Sequence, residues 1–149
     1  MGEGGWYATL RKPPYNPPGW VFPPVWAALY MSMGYASHLV ARVAMETLYQ
    51  PTFLLARGAL GLYVMQLAVN LGWMPLFFRA RRPVAALVNI GGLAGLLAGM
   101  TWLFWEVSVE AGSWVMPYLC WIGFAAYLNY GIVMLNPGDR AAKSKESSK

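Results

Sequence analysis

The chain has 149 residues, of which 58% are hydrophobic and only 11% charged, and its net charge is +5. Typical soluble domains carry roughly 25% charged residues, so this chain has too little polar side chain to coat a soluble surface. The basic residues lie between apolar runs and in the tail rather than on a folded polar face, which argues against a nucleic-acid partner.

In chain order, the first five residues, Met1-Gly2-Glu3-Gly4-Gly5, lack the basic-then-apolar order of a cleavable signal. Trp6 stands where a myristoylation motif wants Ser or Thr. Residues 1–20 are rich in Pro and Gly, and Pro13, Pro14, Pro17 and Pro18 forbid a regular helix there. Four apolar stretches follow, at 21–43, 54–78, 84–105 and 114–135. Each reaches about 20 residues or more, enough for a helix to cross ~30 Å of hydrocarbon. Pro23 and Pro24 suit the first turn of the first span, while Pro83 and Pro117 mark early turns of the third and fourth. Pro51 and Pro137 fall in connections. Four consecutive long runs with few internal charges disfavour a soluble helical core, and continuous apolarity disfavours the alternating strands of a membrane barrel. The expected fold is therefore all-α: an integral membrane bundle of four transmembrane helices over residues 1–137, then a disordered basic tail over 138–149.

Orientation follows from a count. Both ends and the middle loop share one side of a four-span bundle. They hold Arg11, Lys12, Arg79, Arg81, Arg82, Arg140, Lys143, Lys145 and Lys149, nine positives. The other two loops hold Arg42 and Arg57, two positives, beside Glu46, Glu106 and Glu110. Nine against two predicts cytoplasmic termini.

Polar groups in membrane helices are costly against lipid and are expected to face the bundle interior. In the second span Tyr63, Gln66, Asn70 and Trp73 share one helical face. So do Trp26, Tyr30, Met33 and Ser37 in the first, and Trp114, Tyr118, Trp121 and Ala125 in the fourth. The third span adds Asn89 and Trp102. Aromatic stripes with amides converging on one centre describe a pocket for a large, flat, mostly apolar ligand. The same residues also suit hydrogen-bonded helix–helix adhesion, and periodicity leaves both readings open. Gly91, Gly95 and Gly99 form a small-residue series that fits internal packing or a homodimer seam. His38 and Cys120 are single residues of their kind, and no metal-ligand cluster, cofactor motif or nucleophile–base arrangement accompanies them.

A longer pattern carries more. Trp6-Tyr7-x-x-Leu10-x-Lys12-Pro13 is followed by Asn16-Pro17-Pro18-x-Trp20-x-Phe22-Pro23-x-x-Trp26-x-x-Leu29-Tyr30. Then come Gly61-Leu62-Tyr63-x-x-Gln66-Leu67-x-x-Asn70-x-x-Trp73-x-Pro75-x-Phe77-Phe78, Pro117-Tyr118-Leu119-x-Trp121-x-x-Phe124 and Leu128-Asn129-Tyr130. Across residues 5–130 this resembles the translocator protein family, also called tryptophan-rich sensory proteins or peripheral-type benzodiazepine receptors. The resemblance implies a non-enzymatic, multi-pass membrane receptor or carrier, expected in the mitochondrial outer membrane, that binds porphyrins, cholesterol-like lipids and benzodiazepine-type or isoquinoline ligands. Transferred by position, the ligand-facing residues are Trp26, Asn70, Trp121, Ala125 and Leu128, with Asn89 at a polar position of the family's fourth helix. Tyr30, Trp73 and Tyr118 complete the expected site from the aromatic stripes. A family tryptophan falls on Ala85, making that wall less aromatic.

Two departures are visible. The family has five transmembrane helices, and its Trp-Tyr motif follows the first, so the chain as given starts after that helix. Without its wall, Asn70 and Gln66 are expected to meet lipid. The family's cholesterol motif needs a basic residue soon after Leu128 and Tyr130, but the next is Arg140. Rival functions are light- or oxygen-dependent porphyrin breakdown with Trp26 and Trp121 beside the tetrapyrrole, and a partner-binding scaffold.

Overall fold

The structure, a computed structural model, describes residues 5–48 and 50–137. Its helices are α1 (Trp6–Thr9), α2 (Phe22–Glu46), α3 (Gln50–Met74), α4 (Pro83–Val107) and α5 (Val109–Leu135). The proposed tail lies outside the described residues. The protein is an all-α membrane bundle. With its extension to Arg79, α3 is long and apolar enough to cross a membrane, as are α4 and α5. At 25 residues, α2 spans about 37 Å, yet it carries Ser32, Ser37, His38, Arg42 and Glu46. Its last turn is held partly by an exposed Arg42–Glu46 ion pair at 3.2 Å.

The four long helices form a ring. α4 packs most extensively on α5 and α3, α2 packs on α5 and α3, and α2 and α4 barely meet across the centre. On α4 the buried residues Ile90, Leu93, Leu97, Met100 and Phe104 fall on one helical face. Trp102 corrects the expected inward stripe: it is 70% exposed. It lies on the opposite side of α4 from the core face, where an indole suits lipid or the interface. Gly91 and Gly95 also open outward, with no atom near enough to contact an added Cβ, whereas Gly99 meets Leu62 of α3.

Prolines set several boundaries. Pro23 and Pro24 occupy the start of α2 and Pro83 starts α4, where a missing N–H costs nothing. Pro51 lies in the first turn of α3 rather than in a connection, and Pro117 lies inside α5 rather than near its start. α5 begins earlier than expected because only Ser108 separates it from α4. The Ser108 hydroxyl caps the new helix by accepting the Ala111 N–H at 3.3 Å. Past α3, Pro75 opens a π-helical turn through Arg79, closed by Ala80 N–H donating to the Pro75 carbonyl at 2.8 Å. Arg81 then takes a left-handed φ of 50°.

The segment before α2 is a strap along the end of α5. The Arg11 N–H donates to Asn136 Oδ1 at 3.0 Å, and Asn136 Nδ2 donates back to the Arg11 carbonyl at 2.9 Å. The Tyr127 hydroxyl donates to the Pro14 carbonyl at 3.3 Å. Pro13 lies so close to Gly131 that a Cβ there would sit 2.6 Å from the proline ring. Leu10 packs with Phe77, Ala86 and Ile132, joining the ends of α3 and α5 to the start of α4. These contacts hold Tyr15 at φ 69°, a left-handed conformation that costs a tyrosine about 1–2 kcal/mol.

The α4–α5 hairpin depends on one glycine. A Cβ on Gly112 would lie 2.6 Å from Trp105 Cε3 and 2.9 Å from its Cα. Backbone cannot swing aside as a flexible side chain can, so Gly112→Ala must open the hairpin. We expect a loss of about 1–3 kcal/mol from this overpacking, read as a lower thermal midpoint in detergent. Gly91→Ala, made in open space, should leave the midpoint unchanged or raise it.

Candidate functional site

The centre of the ring holds a chain of hydrogen bonds. The Tyr30 hydroxyl of α2 donates to Asn70 Oδ1 of α3 at 3.3 Å. Asn70 Nδ2 donates to the Tyr118 hydroxyl of α5, which donates onward to Gln66 Oε1 at 3.1 Å. Gln66 Nε2 completes the run on Met33 Sδ at 3.5 Å. Gln66, Asn70, Tyr118 and Met33 are buried. The expectation that Asn70 and Gln66 meet lipid is therefore corrected. Tyrosine side chains are long enough to carry a hydroxyl across the ring, so both amides are satisfied inside it.

One turn along α3 from Asn70 lies Trp73, and one turn along α5 from Tyr118 lies Trp121. Both are partly buried, and neither indole Nε1 has a partner among the described residues. Asn89 of α4 is level with them, its amide facing Gly72, where a Cβ would stand 3.7 Å from Nδ2. Its Oδ1 is buried and unpartnered too. Two donors and one acceptor without partners thus occupy one layer, on the strap side of the hydrogen-bonded centre. Trp26, one turn nearer the strap than Tyr30, adjoins the layer, 5.8 Å from the Tyr30 ring and edge-on to Tyr118 at 6.2 Å. Phe22 and Phe124 flank Trp121 at 5.9 and 5.6 Å.

Above this layer an aromatic cluster reaches the strap. Trp73 stacks on Phe77 at 5.1 Å, and Trp6 and Tyr7 meet Phe77 edge-on at 5.9 and 6.0 Å. The Asn129 amide, turned so that its nitrogen faces α4, donates to the Pro83 carbonyl at 3.2 Å and accepts the Leu87 N–H at 3.1 Å.

The nine expected site residues therefore separate by environment. Tyr30, Asn70 and Tyr118 are bonded to one another. Trp73, Asn89 and Trp121 keep unpartnered polar atoms. Trp26 joins the two layers, while Ala125 is partly buried and Leu128 buried on α5. Trp114, placed on the same stripe as Trp121, is 46% exposed. It lies beside Tyr35 at 5.3 Å, and its carbonyl accepts the Ser32 hydroxyl. Sequence reasoning assigned no role to Asn129 or Asn136. Each is an amide near the end of an apolar run, and that polarity was the available signal.

Residues 1–135 match the TspO/MBR family. The chain belongs to that family. It is 41% identical to the translocator protein of Homo sapiens over 146 residues, covering 95% of this chain and 82% of the relative. It is 39% identical to the translocator protein homolog of Schizosaccharomyces pombe over 130 residues, covering 87% and 77%. The tryptophan-rich protein TspO of Chlorobaculum tepidum shares 41% over 132 residues, covering 89% and 80%. Membership supports a membrane receptor or transporter role and agrees with the apolar helices. The relatives are named as translocators and tryptophan-rich proteins, not as enzymes.

Tyr118 is the shared member of the central hydrogen bonds. Tyr118→Phe would strand a buried Asn70 donor and a buried Gln66 acceptor, costing about 1–3 kcal/mol. Tyr30 is 39% exposed and makes one bond, so Tyr30→Phe should cost nearer ~0.6 kcal/mol, typical of hydrogen bonds within membrane proteins. Thermal unfolding of both variants in one detergent gives the order, and a larger loss from Tyr30→Phe would contradict it.

Proposed function

We propose that this protein is a membrane receptor or carrier that holds a flat, largely apolar ligand in the layer of Trp73, Asn89 and Trp121, with porphyrins and cholesterol-like lipids as its physiological classes. Benzodiazepine-type and isoquinoline compounds fit the same description. The observation that carries this reading is the contrast between two adjacent layers. Adhesion between helices explains Tyr30, Asn70, Tyr118 and Gln66, whose polar groups find one another. It does not explain two indole N–H groups and an amide oxygen that find no partner among the described residues. Buried polar atoms usually have partners, and π surfaces with a few unused handles suit a flat ligand.

In this role Trp26 and Trp121 supply faces, Trp73 and Trp121 donate, and Asn89 accepts. Ala125 and Leu128 shape the apolar wall of α5, with Tyr30, Asn70 and Tyr118 fixing the floor. The chemistry is binding, without a catalytic group. Multi-pass residence in the mitochondrial outer membrane is part of the proposal, drawn from the resemblance, and co-fractionation with another membrane would overturn it. A homodimer is also proposed, through the open Gly91 and Gly95 side of α4, and particle mass in detergent measures it.

Trp121→Ala should weaken binding of a porphyrin or an isoquinoline by about 1–3 kcal/mol, the scale of aromatic stacking. Trp114→Ala should do much less, because Trp114 sits one turn beyond the central bonds and away from the layer. Equal losses would point to general destabilisation. Porphyrin recovered unchanged after illumination supports binding, whereas new bilin-like absorbance would replace this reading with porphyrin breakdown.

A further inference from the structure

α2 and α5 are set at different depths. On α2 the exposed polar residues His38, Arg42 and Glu46 all fall in the second half of the helix. A charged side chain is costly against hydrocarbon, so Arg42 marks the water boundary at the far end. Phe22 lies 20 residues before Arg42, about 30 Å of helix, which is the full thickness of the hydrocarbon core. Phe22 therefore stands at the other boundary, and the chain just before it lies at that boundary too. The contacts of the strap trace the same descent along α5. Arg11 meets Asn136 past the helix end, Pro13 meets Gly131, Pro14 meets Tyr127, and the Phe22 ring meets Trp121. From Asn136 back to Trp121 is about 22 Å of rise. A segment that only crossed the protein's surface would stay at one level of α5.

The make-up of the strap suits that depth. Irregular backbone in a membrane is costly where its N–H groups lack partners. Pro13, Pro14, Pro17 and Pro18 have no N–H to leave unpaired. The Arg11 and Val21 N–H groups donate to Asn136 and to the Pro18 carbonyl. The Asn16 amide is used within the strap segment, donating to the Pro17 carbonyl at 3.2 Å and accepting the Tyr7 hydroxyl at 3.5 Å. The side chains turned outward are aromatic. Tyr15, at its left-handed φ, is 87% exposed and Trp20 is 74% exposed, and Tyr127 and Tyr130 are exposed on the same end of α5. Rings with one polar edge favour the boundary between headgroups and acyl chains. We propose that the strap turn from Tyr15 to Trp20 is a lipid-contacting wedge, with both outward rings seated in the boundary layer of the bilayer and the phospholipid surface as its partner. The inference does not depend on the ligand layer. Its consequence is that the bilayer forms part of the closure at this end, because lifting the strap withdraws two aromatic side chains from lipid.

The test uses the full chain in phosphatidylcholine nanodiscs, with no other protein able to occupy the turn. Cys120 is the only cysteine, so a Cys120→Ser background allows one nitroxide label at a time, at Tyr15→Cys or Trp20→Cys. Leu48→Cys, exposed in the connection between α2 and α3, gives the water reference, and Val64→Cys, exposed near the middle of α3, gives the lipid reference. Power saturation compares collisions with oxygen, which concentrates in lipid, and with a nickel chelate, which stays in water. Labels at 15 and 20 should collide with the chelate several-fold less often than the label at 48, with an oxygen-to-nickel ratio between those of 48 and 64. Ratios equal to that of position 48 would place the turn in water, open to a protein partner that recognises proline-rich chain, and the proposal would be wrong. Protection of only one of the two labels would also overturn it, because the wedge requires both rings. Both substitutions are made at exposed side chains, so the thermal midpoint should match that of the background protein. If either variant folds poorly, Pro18→Cys, also exposed on the turn, takes its place and must meet the same criterion.

Discussion

The hydroxyl of Tyr118 is the point on which the bundle's interior depends. A membrane offers no solvent to an unpaired amide, so the carboxamides of Gln66 and Asn70 need partners inside the protein. Both belong to α3, and the hydroxyl that serves them both comes from α5, across the ring. Apolar burial contributes little to holding membrane helices together, because lipid tails are as apolar as leucine side chains. Close packing and a few well-placed hydrogen bonds must specify the arrangement instead. Tyr118 accepts from one amide and donates to the other, so it constrains the rotation of both helices at once. Tyr30 extends the chain to α2, leaving α4 as the helix held mainly by its packed apolar face and the Asn129 amide.

Satisfying the centre changes the meaning of the next layer. Had Asn70 and Gln66 been unpartnered as well, the unpaired atoms of Trp73, Asn89 and Trp121 would suggest a loosely specified interior. They stand instead one helical turn from a network in which each amide is used. Tryptophan is a costly filler where its N–H finds no acceptor, and smaller apolar residues would pack the same space without that cost. The contrast gives the proposed ligand its polarity: mostly flat and apolar, with at least one acceptor for the indoles and one donor for Asn89.

The long helices were legible because twenty apolar residues in succession have few alternatives as structure. Their inward faces were legible where polar residues repeated at helical spacing, as at Gln66, Asn70 and Trp73. Trp102 shows the limit. An indole suits either a bundle interior or a membrane interface, and spacing from a single Asn89 could not choose between them; the apolar face from Ile90 to Phe104 did. Pro117 misled in a similar way, because proline marks helix starts but tolerates the interior of a membrane helix whose freed carbonyl finds other partners. The strap was beyond reading. Arg11 and Asn136 are 125 positions apart, and nothing local to either one announces the pair of hydrogen bonds between them.

The two ends of the bundle differ in how they are closed, and this bears on how the proposed ligand would reach its layer. At the far end, α4 and α5 are joined through Ser108 alone, and Gly112 lies against Trp105 with no room for a methyl group. That closure is covalently short and tightly packed. At the strap end, closure is made by a segment without long helices, fixed by the Asn136 pair, the Tyr127 hydrogen bond, Pro13 on Gly131 and Leu10 in its apolar contact. Each of those contacts can be broken without unwinding a spanning helix, whereas opening the far end requires separating α4 from α5. The proposed ligand layer lies on the strap side of Tyr118. A molecule entering by displacing the strap would reach Trp73 and Trp121 without disturbing the central hydrogen bonds. The fold thus places its rigid closure where adhesion is needed and its separable closure beside the unused polar groups.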